Sequence, residues 1–441
     1  MQWILEKMRK GVRPDLEAWE MGLKAAVMEA GAGLLSRVLR QIGCGRREGP
    51  VLCRCGARME SRGTKPKELL TLLGPTPYAR SAFECPVCHA IRYPGDEALD
   101  VIDTTRSPGV RRMMARAGSH GTFKEGAKDL EVYAQIEVSP KDVERVSETI
   151  GEDFEAWAAR EREVLWALEE TPGQQKTIPI LYVVCDGTGI PMVPAELVGR
   201  KGKQEDGTAR TREVKLGCVF TQTSIDEEGR PIRDPGSTSF VGAIEPAEAF
   251  GKRLYAEAVR RGLHQARKVS FLGDGAEWIW NLADEQFPMA IKTIDLYHAK
   301  EHVSDLCKLL FTSDLHKVEI FRKRWWASLE QGDIDRIAEQ AVKSLNPSSP
   351  NLKAVETQLA YLERNRHRMR YADFRAQGLF VGSGVVEAGC KTVIALRLKR
   401  SGMEWSLWGA NSIIALRCSF ASDRFDDYWE YRAASLLALS P

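Results

Sequence analysis

Three acidic residues are spaced so that a fold could gather them into a divalent-metal site. Asp186 ends the β-rich run Ile180-Leu-Tyr-Val-Val-Cys-Asp-Gly-Thr-Gly, at the expected mouth of a strand, with glycines that let a substrate backbone approach. Asp274 repeats the arrangement in Ser270-Phe-Leu-Gly-Asp-Gly-Ala. If the two strands are neighbours, two carboxylates meet, and Glu387 from a later helix adds a third. Hard oxygen ligands of this kind suit two Mg²⁺ or Mn²⁺ ions. An isolated Asp-Gly is ordinarily a turn, and only the pairing of two strand ends sets these apart. Further on, Asp295-Leu-Tyr-His298 puts an acid and an imidazole three residues apart on one face of a helix start, with His302 one turn later. The two side chains could orient each other or a metal-bound group; a capping Asp beside a hydrogen-bonded His fits the same spacing.

A second chemistry is carried by cysteine. Cys53-x-Cys55 and Cys85-Pro86-Val87-Cys88 are two close pairs separated by 29 residues. On opposite ends of a hairpin they deliver four thiolates to one tetrahedral Zn²⁺, which would hold together a module too small for a core of its own. The single residue between Cys53 and Cys55 makes a tight chelate, so His89 is an alternative ligand, and four unmetallated thiols remain the plain reading. Residues 46–92 hold nine Lys or Arg against four Glu, a composition that suits phosphate contact as well as it suits a solvated face. Residues 364–400 hold nine Lys or Arg and two acids, Asp373 and Glu387. An isolated Glu among so many cations is an ion-pair hub or a metal ligand beside bound phosphate. Trp405 and Trp408 nearby are either stacking surfaces for an unpaired base or core.

These residues must be positioned by the elements around them. Residues 1–45 read as an amphipathic N-terminal helix for packing or dimerisation. Residues 46–100 read as short strands, with Gly74-Pro75 as a hairpin tip. Residues 101–171 return to helix, and 123–150 form a helix-turn-helix in which Ser139 caps the second helix, Pro140 opens it, and Lys141 and Arg145 invite groove contact. Pro172-Gly173 closes this region. Strands at 178–184, 214–221 and 238–244 follow, then helix, strand 269–272, helix, strand 290–294 and helix. Three leading strands followed by αβαβα is the order of a ribonuclease H-like sheet, whose first and fourth strands lie side by side. That core, 172–311, is interrupted by a helical insertion at 312–376, and 377–441 complete it with a helix beginning near Ser383 and further C-terminal helices. The fold class is therefore multidomain, α+β or α/β: a ribonuclease H-like mixed sheet with a helical insertion, preceded by a zinc-ribbon-like module and a helical domain.

Composition sets the outer limits. With 63 Lys and Arg against 61 Asp and Glu among 441 residues, any basic surface is local, and 43% hydrophobic residues exclude a disordered or polyelectrolyte chain. No apolar run is long enough to span a membrane, and the charged N-terminus lacks the core of a signal peptide. The expected location is the cytoplasm, associated with the nucleoid.

The chain resembles the DDE transposases of bacterial insertion sequences, in particular the ISKra group, distant relatives of the Mutator-like transposases. The resemblance rests on Cys-Asp-Gly-Thr-Gly at 185–189, Gly-Asp-Gly-Ala-x-Trp-Ile-Trp at 273–280, Asp-x-Tyr-His-Ala-x-Glu-His at 295–302, and Gly-Ser-Gly-x-Val-Glu at 382–387 followed by Lys391, Arg397, Lys399 and Ser401-Gly402-Met403-x-Trp405. With the cysteine module it covers about residues 46–430. The resemblance implies that Asp186, Asp274 and Glu387 are the catalytic triad and metal ligands, that Asp295 and His298 are the auxiliary Asp-x-x-His motif, and that Lys391, Arg397, Lys399 and Arg400 neutralise DNA phosphates. It further implies cleavage at transposon ends, joining of 3′ ends to target DNA, two Mg²⁺ or Mn²⁺ ions, a structural Zn²⁺ on Cys53, Cys55, Cys85 and Cys88, and a homodimer or larger assembly. The spacing Cys53-x-Cys55 departs from the usual two intervening residues. A DNA-binding regulator domesticated from a transposase would keep the zinc module and lose a carboxylate, whereas a ribonuclease H-type nuclease would release its product unjoined.

Overall fold

The computed structural model describes residues 15–42, 49–167, 177–202, 204, 207–312 and 314–438. The expected helix over 1–14, the cations Arg46 and Arg47, and the closing Pro172-Gly173 lie outside the described residues. The architecture is mixed α+β, in two compact units. Gly151–Asp426 forms one, and the described residues on either side form the other.

In the first unit, α1 (Leu16–Ile42) lies against an antiparallel hairpin, β1 (Glu60–Thr71) and β2 (Gly74–Glu84), with the short β3 (Ile91–Arg92) paired to β2. Ser36 of α1 donates to the Pro77 carbonyl. The hairpin tip is Leu72-Leu73, two residues before the expected Gly74-Pro75. Two leucines turn here because each has a helix to pack on: Leu73 touches Gly31 of α1, and Leu72 touches Gly109 of α2 (Pro108–His120), where a Cβ would meet it at 2.9 Å. Gly74 takes the left-handed φ of +100° that leaves the turn. Helix α3 (Phe123–Ala134) starts in a full capping box of Thr122 and Glu125, and α4 (Pro140–Ala167) starts where Ser139 accepts from the Asp142 amide. The helix-turn-helix is thus present, but its second helix runs to Ala167, and the division between the units falls inside it. Lys141 is paired with Glu144 and Arg145 with Asp142. The last helix, α13 (Phe425–Ala438), returns to this unit from Asp427 on, where Arg432 makes a bidentate pair with Asp100.

The second unit is built on a five-stranded sheet. Its strands in chain order are β4 (Ile178–Pro191), β5 (Thr211–Gln222), β6 (Ser239–Ala243), β7 (Ala266–Gly273) and β8 (Ile291–Ile294). Their spatial order is β8-β7-β4-β5-β6, with β4, β5 and β6 antiparallel and β4, β7 and β8 parallel. The first and fourth strands are neighbours, as the acidic pair required. Helices α5 (Ala247–Arg260), α6 (Glu277–Gln286) and α7 (Leu296–Leu310) connect and follow the later strands. The region expected to be a helical insertion holds α8 (Leu315–Glu330), α9 (Ile334–Lys343) and α10 (Leu352–Asn365), with the joint between α9 and α10 spanning the expected Asn346 to Pro350. Then come α11 (Gly384–Gly389), a π turn (Cys390–Ala395) and α12 (Leu407–Ala421). No helix of the described residues is long and apolar enough to cross a membrane.

Helix α4 crosses α12 at backbone contact, and Gly151 makes that possible. A Cβ there would lie 2.2 Å from the Ser412 carbonyl oxygen. Gly151→Ala is expected to lower stability by about 1–3 kcal/mol despite the better helix propensity of Ala, because the clash is with backbone and cannot be relieved by a rotamer. Urea unfolding of the two proteins measures it; an unchanged or raised midpoint would refute the close approach.

Candidate active site and cysteine cluster

The four cysteines come together. Among the described residues, Cys53, Cys55, Cys85 and Cys88 are the one group of three or more metal-type side chains whose ligand atoms all lie within 4.8 Å of one another. The Cys53–Cys88 and Cys55–Cys85 sulfur distances are 3.4 and 3.5 Å, close to the roughly 3.8 Å that two thiolates span across a tetrahedral zinc. The tight Cys53-x-Cys55 chelate works because Gly56, at φ +87°, turns the chain back so that its amide donates to the Cys53 carbonyl. His89 is not needed: its ring is exposed and faces Glu84 at 3.6 Å. The Cys88 amide donates to the Cys85 sulfur, and this backbone contact, with help from the Val87 amide, holds the Cys85 thiol down at about 6 against the effect of burial. The donor set fits Zn²⁺.

The basic character expected of this module is largely used internally. Arg62 pairs with Glu84, Lys67 and Arg80 with the buried Asp96, and Arg92 with Glu97.

In the second unit the acids lie at one end of the sheet. The parallel ladder between β4 and β7 ends at the pair Val184–Leu272, two residues before Asp186 on one strand and Asp274 on the other. Asp186 is not at a strand end, as its Asp-Gly-Thr-Gly sequence suggested. Strand β4 runs on to Pro191, paired with β5 throughout, and its far end is joined by the Trp405 segment, whose amide donates to the Pro191 carbonyl. The glycines serve that cross-strand packing: a Cβ at Gly187 would meet the Glu213 carboxylate at 2.4 Å and one at Gly189 would meet Thr211 at 2.9 Å. Asp274 does sit in a turn, accepting from the Ala276 amide at 2.8 Å.

Glu387 projects from α11, exposed, and is paired with Lys391 at 2.6 Å. Gly389 lets this helix settle on the sheet, where a Cβ would meet the Phe240 ring at 2.5 Å. Burial pushes the Asp186 carboxyl above the ordinary carboxylate range; the Cys390 thiol and the Gly187 amide oppose this by hydrogen bonding, and the charges of Asp274 and Glu387 add to it. Asp186 therefore feels the other two acids, although the three are not gathered as tightly as the cysteine sulfurs.

Asp295 is buried, and both its oxygens are occupied by backbone. It caps α7 by accepting from the His298 amide at 2.8 Å, and its second oxygen accepts from the amide of Ser383, the residue that opens α11. Its own amide donates to the Gly273 carbonyl, next to Asp274. The residue is a clasp: its side chain joins the start of α7 to the helix of Glu387, and its amide ties both to the end of β7. The His298 ring turns to His302 instead, with 3.3 Å between Nε2 atoms, and His302 Nδ1 lies 2.7 Å from Gln358 Oε1 of α10.

Of the expected phosphate contacts, Lys391, Lys399 and Arg400 are exposed, and Lys399 donates to Thr188, two residues beyond Asp186. Arg397 is fully buried, its guanidinium 4.9 Å over the Trp405 ring, so it holds the chain after the π turn and presents no charge to solvent. Trp405 is likewise core, whereas Trp408 is partly exposed. Cys390 was missed by sequence reasoning, although its place three residues after Glu387 put it on the same face.

No family model matches the chain, and no curated protein matches it. Among solved structures it is similar, at 10% identity and a TM-score of 0.23, to the Drosophila P element transposase strand transfer complex, over 76% of this chain and 84% of that one, a superposition too loose to define a shared fold.

Two outcomes follow from this geometry. Replacing Cys85 by Ser is expected to take bound zinc from about one per chain to near zero and to expose residues 49–92 to protease, measured by metal analysis and limited proteolysis; zinc retained at full occupancy would refute the cluster. Asp186→Asn is expected to stabilise the metal-free protein at neutral pH. A raised carboxyl is penalised when ionised, so the gain is full above its folded value and fades as pH falls through the carboxylate range, where the wild type is protonated too. Thermal unfolding from pH 7 down to pH 3 reads it; equal melting at every pH would refute the buried charge.

Proposed function

We propose that the chain is a DNA transposase of the DDE type, akin to the ISKra group, that cleaves the ends of its element and joins the 3′ ends to target DNA. The observation that carries this reading is that β4 and β7 are parallel neighbours whose ladder stops just before Asp186 and Asp274, with the Glu387 helix tied to the same end of the sheet through Asp295. The strand order, counted along the chain as 3-2-1-4-5 with the second strand antiparallel to the first, supports a ribonuclease H-like core.

In this reading Asp186, Asp274 and Glu387 hold two Mg²⁺ or Mn²⁺ ions. These ions, when bound, supply an activated water and charge relief at the leaving 3′ oxygen. The protein's own groups do the rest. The carboxylates fix where the phosphodiester can sit, Lys399 beside Thr188 and Lys391 beside Glu387 offset phosphate charge, and Arg400 extends that basic rim. Glu387, now paired with Lys391, would have to give up that partner to hold a metal ion. The zinc module (46–100) and the helical region (101–171) bind the terminal repeats, and the chain acts at the nucleoid as a dimer or larger assembly, since two ends must be processed together. Retention of all three acids counts against a domesticated regulator.

The test is to incubate the protein and its Asp186→Asn variant with a labelled fragment of the DNA flanking its own gene and a plasmid, in Mg²⁺ or Mn²⁺. The wild type is expected to give joined product and the variant at least about 10³-fold less. Cleavage without joining would replace the reading by a nuclease, and binding with neither reaction would reduce it to a DNA-binding remnant.

A further inference from the structure

Helix α10 belongs to the helical segment between β8 and Glu387, yet one of its side chains reaches the acid site. Tyr361 packs against Gly275, the residue after Asp274, so closely that a Cβ there would lie 2.4 Å from the ring and 2.5 Å from the phenol oxygen. Its ring stacks on His302, centroids 3.8 Å apart and 20° from parallel, and Gln358 one turn earlier bonds His302 Nδ1 through its Oε1. The phenol is thus locked in place at the Asp274 turn.

Its hydroxyl has nothing to bind. Tyr361 is 8% exposed, and its buried oxygen has no hydrogen-bond partner among the described residues. An unmade bond of this kind costs stability and calls for a reason. The carboxylates nearby do not take it: Asp274 accepts from the Ala276 amide, and both Asp295 oxygens accept from backbone. Burial, with the charges of Asp274 and Asp295, keeps the phenol protonated, so it remains a donor. Tyr371 has a similarly buried and orphaned hydroxyl, but it is Tyr361 that packs on the glycine after Asp274.

We propose that Tyr361 is a substrate-contacting residue, whose hydroxyl donates to a phosphodiester oxygen of DNA bound beside Asp274. The inference rests on the DNA chemistry proposed above. It gives the helical segment a direct part in the site, because a buried donor fixed by stacking and left without a protein partner gains its missing hydrogen bond when an anionic oxygen reaches it.

The experiment uses the full chain with fluorotyrosine at its tyrosines, the residue 361 signal being assigned by its loss in Tyr361→Phe. Addition of a duplex carrying the element's end, with Ca²⁺ to withhold cleavage, is expected to shift the fluorine resonance of residue 361, and Ca²⁺ alone to leave it unmoved. In Mg²⁺ the Phe variant is expected to bind that duplex within about twofold of wild type, to melt no lower, and to cleave about 10- to 100-fold more slowly in single turnover. A resonance indifferent to DNA, or a Phe variant that cleaves at the wild-type rate, would overturn the proposal. A wild type that cleaves nothing would sink the transposase reading, and the fluorine response to DNA would still decide the role of Tyr361.

Discussion

Two carboxylates held side by side repel by a few kcal/mol even at intermediate dielectric, so a site that needs them close must prevent them from drifting apart. Here the restraint is the parallel ladder between β4 and β7. Its last pairs, Tyr182–Ser270, Val183–Phe271 and Val184–Leu272, are buried to a residue, and a one-residue slip would turn every one of those side chains onto the other face of the sheet. The register that buries these residues is the same register that sets Asp186 opposite Asp274. Core packing and the placement of charge are one constraint, and the strain of the second is carried by the first.

Glu387 comes from more than a hundred residues further along the chain and needs its own restraint. Asp295 supplies it with three bonds to backbone, reaching Gly273, His298 and Ser383. Because its carboxylate bonds only main-chain amides, this clasp fixes geometry directly through the backbone. The spacing that suggested an Asp–His couple is explained by helix capping, and the imidazole is released to meet His302 on the same helix, which in turn meets Gln358 of α10.

That Asp186 and Asp274 follow neighbouring strands was legible because acid types, glycines and β-rich runs are local features. The cysteine pairs were legible for the same reason. What the sequence hid was everything decided by a distant partner. Asp186 reads as a strand end because the β5 residues that carry β4 on to Pro191 lie in another stretch of the chain. Leu72-Leu73 does not read as a turn because the helices that cover it lie elsewhere in the chain. Arg397 reads as one more surface cation in a basic stretch, and only Trp405 stacked beneath it reveals a buried one. Tyr361 carries no local signal at all, since its role depends on a glycine 86 positions earlier that leaves room for its ring. Even the expected helix after Ser383 was right in kind and wrong in pitch, becoming a π turn at Cys390–Ala395.

That π turn has a consequence for how the chain can vary. A π turn carries one residue more than the α-helical turn it replaces, so Glu387 and Lys399 stand on either side of a built-in insertion. Removing any single residue from 390–395 would let the ladder close as ordinary α-helix and would rotate all that follows by about 100° relative to Glu387. Lys399 would leave Thr188, and Arg397 would leave Trp405. Whatever residues fill this stretch, its length cannot change: between the third acid and the basic rim the chain is under a constraint of count.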